Sequence, residues 1–220
     1  MNRVHYTAID WIRKQACMNR KRKYEQVYQF KIALDGIEPP IWRRIQVPET
    51  YSFWDLHVAI QDSMGWSDSH LHEFRLKNPA TGETDVIGVP GEEFEGDPEV
   101  HAGWKKKVAD YFPAAGTTAR YIYDLGDNWE HTLELEKVVP REKGVRYPLC
   151  VDGERACPPE DCGGLEGYQD FLERILVLGH EDRRETLDWA GGSFDMEKFD
   201  PKEVRFDNPQ RRWKTAFQSE

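Results

Sequence analysis

An α+β fold in a single domain is what this sequence predicts, and three observations predict it. Two pairs of neighbouring segments, 28–34 with 41–47 and 120–124 with 129–135, alternate apolar and polar residues with the period of half-buried strands. Two helical stripes, over 53–64 and 168–178, are placed to cover a sheet. The chain has 220 residues, a length that suits one domain with excursions better than two. Hydrophobic residues make up 39% and aromatic residues 12%, including 8 Trp, enough for a sizeable core. Nothing approaches the ~18 consecutive apolar residues of a membrane span, which excludes a spanning protein. The expected organisation is a basic extension over 1–23, a domain over 24–214 and a tail over 215–220. Its sheet is mixed or antiparallel and begins strand–strand–helix–strand, in the manner of a β-grasp.

The elements follow in order. Tyr28, Phe30, Ile32 and Leu34 share one face of a first strand, which Gly36 and the Pro39-Pro40 pair stop, because proline cannot donate to a ladder. A second strand puts Ile41, Arg43, Ile45 and Val47 on one face and Trp42, Arg44 and Gln46 on the other. The pattern leaves open which face is inside. Ser52 with Asp55 three residues on forms a weak capping box, Phe53, Leu56, His57, Ile60 and Met64 make a stripe, and Gly65 suits the helix end. His70, His72, Phe74 and Leu76 then alternate as a third strand. Residues 77–100 read as a long excursion with a short strand at Val86-Ile87.

The strands around 120–136 turn at Gly126-Asp127-Asn128. Trp129, His131, Leu133 and Leu135 share one face, and Glu130, Thr132, Glu134 and Glu136 the other, so His131 is expected on the buried side. A cysteine-bearing segment from Cys150 to Gly164 precedes the stripe Tyr168, Phe171, Leu172, Ile175 and Leu176. A short helix over 181–190 and a charged tail with scattered aromatics complete the chain.

Four arrangements are candidates for chemistry. Cys150, Cys157 and Cys162, with His131, have the residue types of a tetrahedral zinc site, on a loop stiffened by Pro158-Pro159. No Cys-x-x-Cys knuckle accompanies them, and the same residues also suit burial as small hydrophobes and a core histidine. Asp124, Asp127, Glu130, Glu160 and Asp161 lie on turns near His131, the composition of a site that holds a divalent cation beside a base. They equally suit turn chemistry and the positive end of a helix. His70 and His72 point to one face of a strand and share it with Phe74 and Leu76, which favours packed, hydrogen-bonded histidines; the same holds for His57. Trp42 beside Arg43 and Arg44, after a rigid Pro-Pro, is the best candidate for an aromatic–charged interaction surface. There is no phosphate-binding Gly-rich loop and no nucleophile elbow, so nucleotide and acyl-transfer enzymes find no support.

Ile41-Trp-Arg-Arg44, Trp54 to Gln61 with Met64-Gly-Trp66, His70-Leu-His-Glu-Phe74, Tyr123 to His131, and Ala156 to Asp161 with Gly163-Gly164 and Gly167-Tyr168 resemble, in combination, the plasmid pRiA4b open-reading-frame-three-like family. Some of its members carry the label of insertion-sequence passenger proteins of the TnpR type. The resemblance covers about residues 27–214 and implies a single α+β domain without an established activity. A serine recombinase, which that label evokes, needs a nucleophilic Ser at the first strand, and Tyr28 to Leu34 contains none.

The formal net charge is −10. Residues 1–25 hold seven basic and two acidic side chains, a net +5, so the remainder carries −15. An acidic body repels a phosphate backbone, which leaves the basic N-terminal arm as the route to nucleic acid. Val4, Ala8, Ile9, Ile12 and Ala16 in that arm fall on one helical face. The N-terminus lacks the apolar region of an export signal, so a cytoplasmic address with reduced thiols is expected. The leading expectation is a non-catalytic binding or accessory module of plasmids or mobile elements, with a protein partner and a structural zinc. The alternative is a metal-dependent hydrolase or nuclease that uses His131 and the nearby carboxylates.

Overall fold

A computed structural model of the chain describes residues 24–91 and 98–218; the expected N-terminal extension, its amphipathic helix and the last two residues lie outside that range. The strands are β1 (Gln26–Leu34), β2 (Trp42–Pro48), β3 (His72–Lys77), β4 (Thr84–Gly88), β5 (Val100–Ala102), β6 (Thr118–Tyr123), β7 (Trp129–Pro140) and β8 (Leu149–Glu154). The helices are α1 (Phe53–Met64), α2 (Val108–Tyr111), α3 (Gly164–Leu176), α4 (Arg183–Trp189) and α5 (Pro209–Gln218). One eight-stranded sheet runs in the order β5-β4-β3-β6-β7-β1-β2-β8. All pairs are antiparallel except β4 with β5, so the sheet is mixed and the fold is α+β. The β6–β7 hairpin stands between β3 and the β1–β2 hairpin.

Local chemistry explains the best-formed elements. Ser52 and Asp55 complete a reciprocal capping box at the start of α1, and Gly65 ends the helix in the left-handed region at φ 92°. Phe53, Leu56, Ile60 and Met64 of α1 pack into a core shared with Phe30, Ile32, Ile45 and Val47 of the β1–β2 hairpin and with Phe74, Tyr121, Leu133 and Leu135. The alternation of β7 holds, with Trp129, His131, Leu133 and Leu135 buried and Thr132 and Glu134 exposed.

The inner face of β2 carries an arginine. Arg43 is buried between Ile41 and Ile45, where its Nε donates to the Ser63 carbonyl (2.8 Å). Its Nη1 donates to the carbonyls of Trp42 and Glu154 (both 2.9 Å), and the Phe199 ring lies 3.7 Å from the guanidinium. Nε and Nη1 thus donate to backbone oxygens, which helps to offset the cost of burying the charge. Phe199 in turn requires glycine at position 153, where a Cβ would stand 2.5 Å from the ring. Arg43 is therefore no part of a surface, and the expectation that placed it on one is corrected.

Candidate functional site

The residues that sequence reasoning nominated separate into three places. The structure does not gather the thiols and His131 into one cluster of ligand atoms. Among the described residues, only two groups of three or more His, Cys, Asp or Glu bring their ligand atoms within 4.8 Å of one another, and neither includes a cysteine or His131. His131 is fully buried on β7; its Nδ1 lies 3.0 Å from the Trp129 carbonyl and its Nε2 meets no partner. Burial lowers its pKa to about 4, so the imidazole is neutral at pH 7. Cys150 sits on β8, and burial pushes the Cys157 and Cys162 thiols up to about 12. These are protonated, free thiols.

The first of the two groups is interior and joins His57 of α1, Asp68 of the following loop and His72 of β3. His57 Nε2 meets Asp68 Oδ1 at 2.6 Å, and its Nδ1 meets the Tyr121 hydroxyl at 2.8 Å, to which Gln61 also donates. The His57 and His72 rings stack with centroids 3.4 Å apart and planes 8° from parallel. Burial holds both imidazoles well below their ordinary pKa and lifts Asp68 to about 6. From α5, Arg212 pairs with Asp62 of α1 at 2.6 Å and approaches Asp68 at 3.8 Å. This geometry is a packed polar network. An ion in the plane of one stacked ring would stand up to 3.4 Å outside the plane of the other, so the two rings cannot share a metal as they stand.

The second group lies at the surface, where three segments far apart in the chain form a rim. His70 precedes β3, Asp124 begins the β6–β7 turn, and Asp161 lies in the loop before α3. His70 Nε2 stands 2.6 Å from Asp161 Oδ1 and 3.5 Å from Asp124 Oδ2. Although burial pulls the His70 pKa down, the hydrogen bond that its ring donates to Asp161 and the charges of Asp124, Asp161 and Glu160 raise it on balance. Beside it, Glu160 accepts from the Ser67 amide (2.8 Å), the Ser67 hydroxyl and the Tyr123 hydroxyl. Asp68, Asp124 and Asp161 all adopt positive φ, near 60°. Aspartate tolerates that region better than most residues.

The remaining nominated acids have structural roles. Asp127 Oδ2 accepts from the Gly163 amide (3.1 Å), tying the turn to the start of α3. A Cβ at Gly164 would lie 2.6 Å from the Asp127 carbonyl, which explains the glycine there. Glu130 pairs with Arg120 at 2.9 Å and accepts from Asn128.

On the β2 face, Arg44 makes a two-pronged contact with Glu136 (2.7 and 2.9 Å) and reaches Asp152 at 2.6 Å. Trp42 donates to Glu154 and lies between Lys31 and Arg44, 5.2 and 4.9 Å from its ring centre. The cations of that face are already satisfied within the chain. The rim is what sequence reasoning did not assemble. Its acids were nominated, but with His131 in the place that His70 holds.

A single α+β domain with a histidine–carboxylate rim at one end of its sheet is the class that fold and site define. The chain belongs to the Plasmid pRiA4b ORF-3-like protein family, whose profile matches residues 26–203. It is 37% identical over 167 residues to the uncharacterized protein y4hQ of Sinorhizobium fredii (strain NBRC 101917 / NGR234), covering 76% of this chain and 82% of that one. It is also similar to a crystal structure of MM3350, a protein of unknown function from Methanosarcina mazei Go1, with a TM-score of 0.76 and 49% identity. That match covers 84% of this chain and all of the other. Among the described residues, no helix is long and apolar enough to cross a membrane.

Proposed function

We propose that this protein is a non-catalytic binding module, an accessory of plasmids or mobile elements as its family's name implies, and that it docks a cationic partner on the rim. One observation carries the reading. Three distant segments bring His70, Asp124 and Asp161 together at the surface, with Glu160 next to Asp161 and with exposed Leu71 and Leu125 beside them. Acid ringed by exposed apolar side chains suits a basic protein segment and repels a phosphate backbone. His57, His72, His131 and Cys150 are buried. The three cysteines among the described residues are free thiols, which fits a reducing, cytoplasmic address.

The test is isothermal titration of the full chain with a peptide of alternating lysine, arginine and leucine. Binding should weaken with salt, vanish in Asp161→Lys and persist in Trp42→Ala. Binding unaffected by Asp161→Lys and lost in Trp42→Ala would move the partner to the β2 face and overturn the reading. A fluorescent DNA duplex distinguishes the other route. If it binds tightly and deletion of residues 1–23 abolishes that binding, the partner is nucleic acid on the basic arm and the rim is not the docking surface.

A second reading, a metal-dependent hydrolase or nuclease, is favoured by the meeting of Asp124 and Asp161 with a histidine at an open surface. That histidine is His70; buried His131 has no part in it. Turnover of bis(p-nitrophenyl) phosphate that requires added Mn²⁺ and is lost in His70→Ala would support the hydrolase over the binding module.

A further inference from the structure

We propose that His70, Asp124 and Asp161 form a site for one divalent transition-metal ion. The proposal deepens the docking reading, since the cation that the rim recognises is then in the first place a metal. Two ligand atoms about 2.1 Å from an ion stand about 3.0–3.4 Å apart at octahedral or tetrahedral angles. The His70 Nε2 separations from Asp161 and Asp124, 2.6 and 3.5 Å, bracket that span. All three ligand atoms lie within 4.8 Å of one another, so an ion between them needs only side-chain adjustment.

The surroundings orient the ligands. Asp124 Oδ1 accepts from the Gly126 amide (2.9 Å) and the Asp127 amide (3.3 Å), which leaves Oδ2 facing the histidine. Tyr123 lies edge-on to the His70 ring, 6.0 Å between centres, and is itself held by Glu160. Second-layer contacts of this kind tune a site's affinity by orienting its ligands. One imidazole with two carboxylates suits Mn²⁺ or Zn²⁺ better than Mg²⁺ or Ca²⁺, which prefer oxygen alone. Asp161 is two-thirds exposed and His70 one-third, so coordination positions remain for water or for a partner's donor atom.

The experiment uses chelator-stripped full chain, titrated calorimetrically with Zn²⁺, Mn²⁺ and Mg²⁺ in parallel. One Zn²⁺ or Mn²⁺ per chain is expected, with Mg²⁺ much weaker. Affinity should fall in His70→Gln and in Asp161→Asn by at least the roughly 10- to 100-fold that loss of a mere orienting partner costs, and stay unchanged in the double variant Cys157→Ser, Cys162→Ser. Circular dichroism and melting temperature should match the parent in the rim variants, so the loss reports the ligands. Cobalt supplies a spectroscopic arm. The weak visible bands of nitrogen and oxygen ligation are expected, whereas an intense thiolate charge-transfer band would place the ion on the cysteines and overturn the proposal. So would the absence of any bound metal, or binding that survives both rim substitutions. If no metal binds while the lysine–arginine–leucine peptide still requires Asp161, the metal inference fails and the docking reading stands. If metal binds and the peptide does not, the docking reading fails alone.

Discussion

His70 and His72 are two residues apart, and the fold sends them into opposite circumstances. His72 stacks on His57 in the interior beside Asp68, while His70 meets Asp124 and Asp161 in water. Both groups combine imidazole with carboxylate, so residue type does not separate them. Burial and ring orientation do. In the interior, stacking and hydrogen bonds consume the chemistry; at the rim, the same chemistry stays available. A histidine–aspartate cluster thus becomes a site only where its lone pairs converge on open space.

The largest effect expected from this contrast is on stability. His57→Ala takes one partner each from Asp68 and the Tyr121 hydroxyl and opens a cavity in the buried interior, at a cost of about 3 kcal/mol. For a chain of this size that lowers the melting temperature by about 6–12 °C. His70→Ala should shift stability by less than about 0.5 kcal/mol. Equal losses in the two variants, measured by urea unfolding, would erase the distinction between interior and rim.

Arg212 comes next. Its side chain pairs with Asp62, itself nearly buried, and approaches Asp68 and Asp207. Arg212→Met leaves Asp62 and Asp68 without their cation, while Asp207 keeps Arg211, and should cost about 2 kcal/mol, less than the loss from a wholly buried pair because Arg212 retains some solvent contact. Trp54 Nε1 donates to the Pro209 carbonyl at the start of α5, so loosening of the helix should be visible as a red shift in tryptophan emission. An unchanged spectrum and midpoint would show that α5 contributes nothing to the interior network.

Acid should sharpen the comparison further. His57 and His131 have folded pKa values depressed below the ordinary 6.5, His131 to about 4, mainly by burial. The stability that they contribute is full above pH 6.5 and is lost as pH falls through the range from 6.5 to 4, because the unfolded chain takes up protons that the folded chain refuses. Asp68, lifted to about 6, works in the opposite direction and offsets part of that loss. The denaturation midpoint should therefore decline between pH 6.5 and 4, and His131→Leu should flatten the decline. A parent protein whose midpoint is level over that range would refute the assignment of neutral, buried imidazoles.

The smallest effect is expected from Asp161→Asn, within about 0.5 kcal/mol of the parent, since the carboxylate is mostly in water. A large loss would mean that the rim is a structural clamp.

Much of the fold could be read from local pattern. The capping box of α1 and the alternation of β7 are encoded within a few residues, and both formed as read. What escaped depends on distant segments. Arg43 is buried because Ser63, Glu154 and Phe199 converge on it from three other parts of the chain. Strand β8 has no alternating apolar face, as befits an edge strand, and reads in sequence as a loop. Helix α5 has no fully buried residue to mark a stripe, and the charged tail conceals its contacts with Trp54 and Asp62. At the rim, the acids were legible as turn residues. Which histidine they meet was not, because that depends on β3 pairing with β6 from His72 onward, which leaves His70 outside the sheet.

The position of β1 bears on how the chain acquires this architecture. It is the first strand in sequence, yet it lies between β2 and β7, and its Gln29 bonds to Glu136, 107 residues away. During synthesis the amino-terminal hairpin therefore waits with one flank unsatisfied until most of the polypeptide has left the ribosome. Ring closures of that span make for slow assembly and favour self-association of unfinished chains. Fragments that stop short of residue 129 would lack β7 altogether and should accumulate as aggregates, whatever the merits of their individual helices and turns.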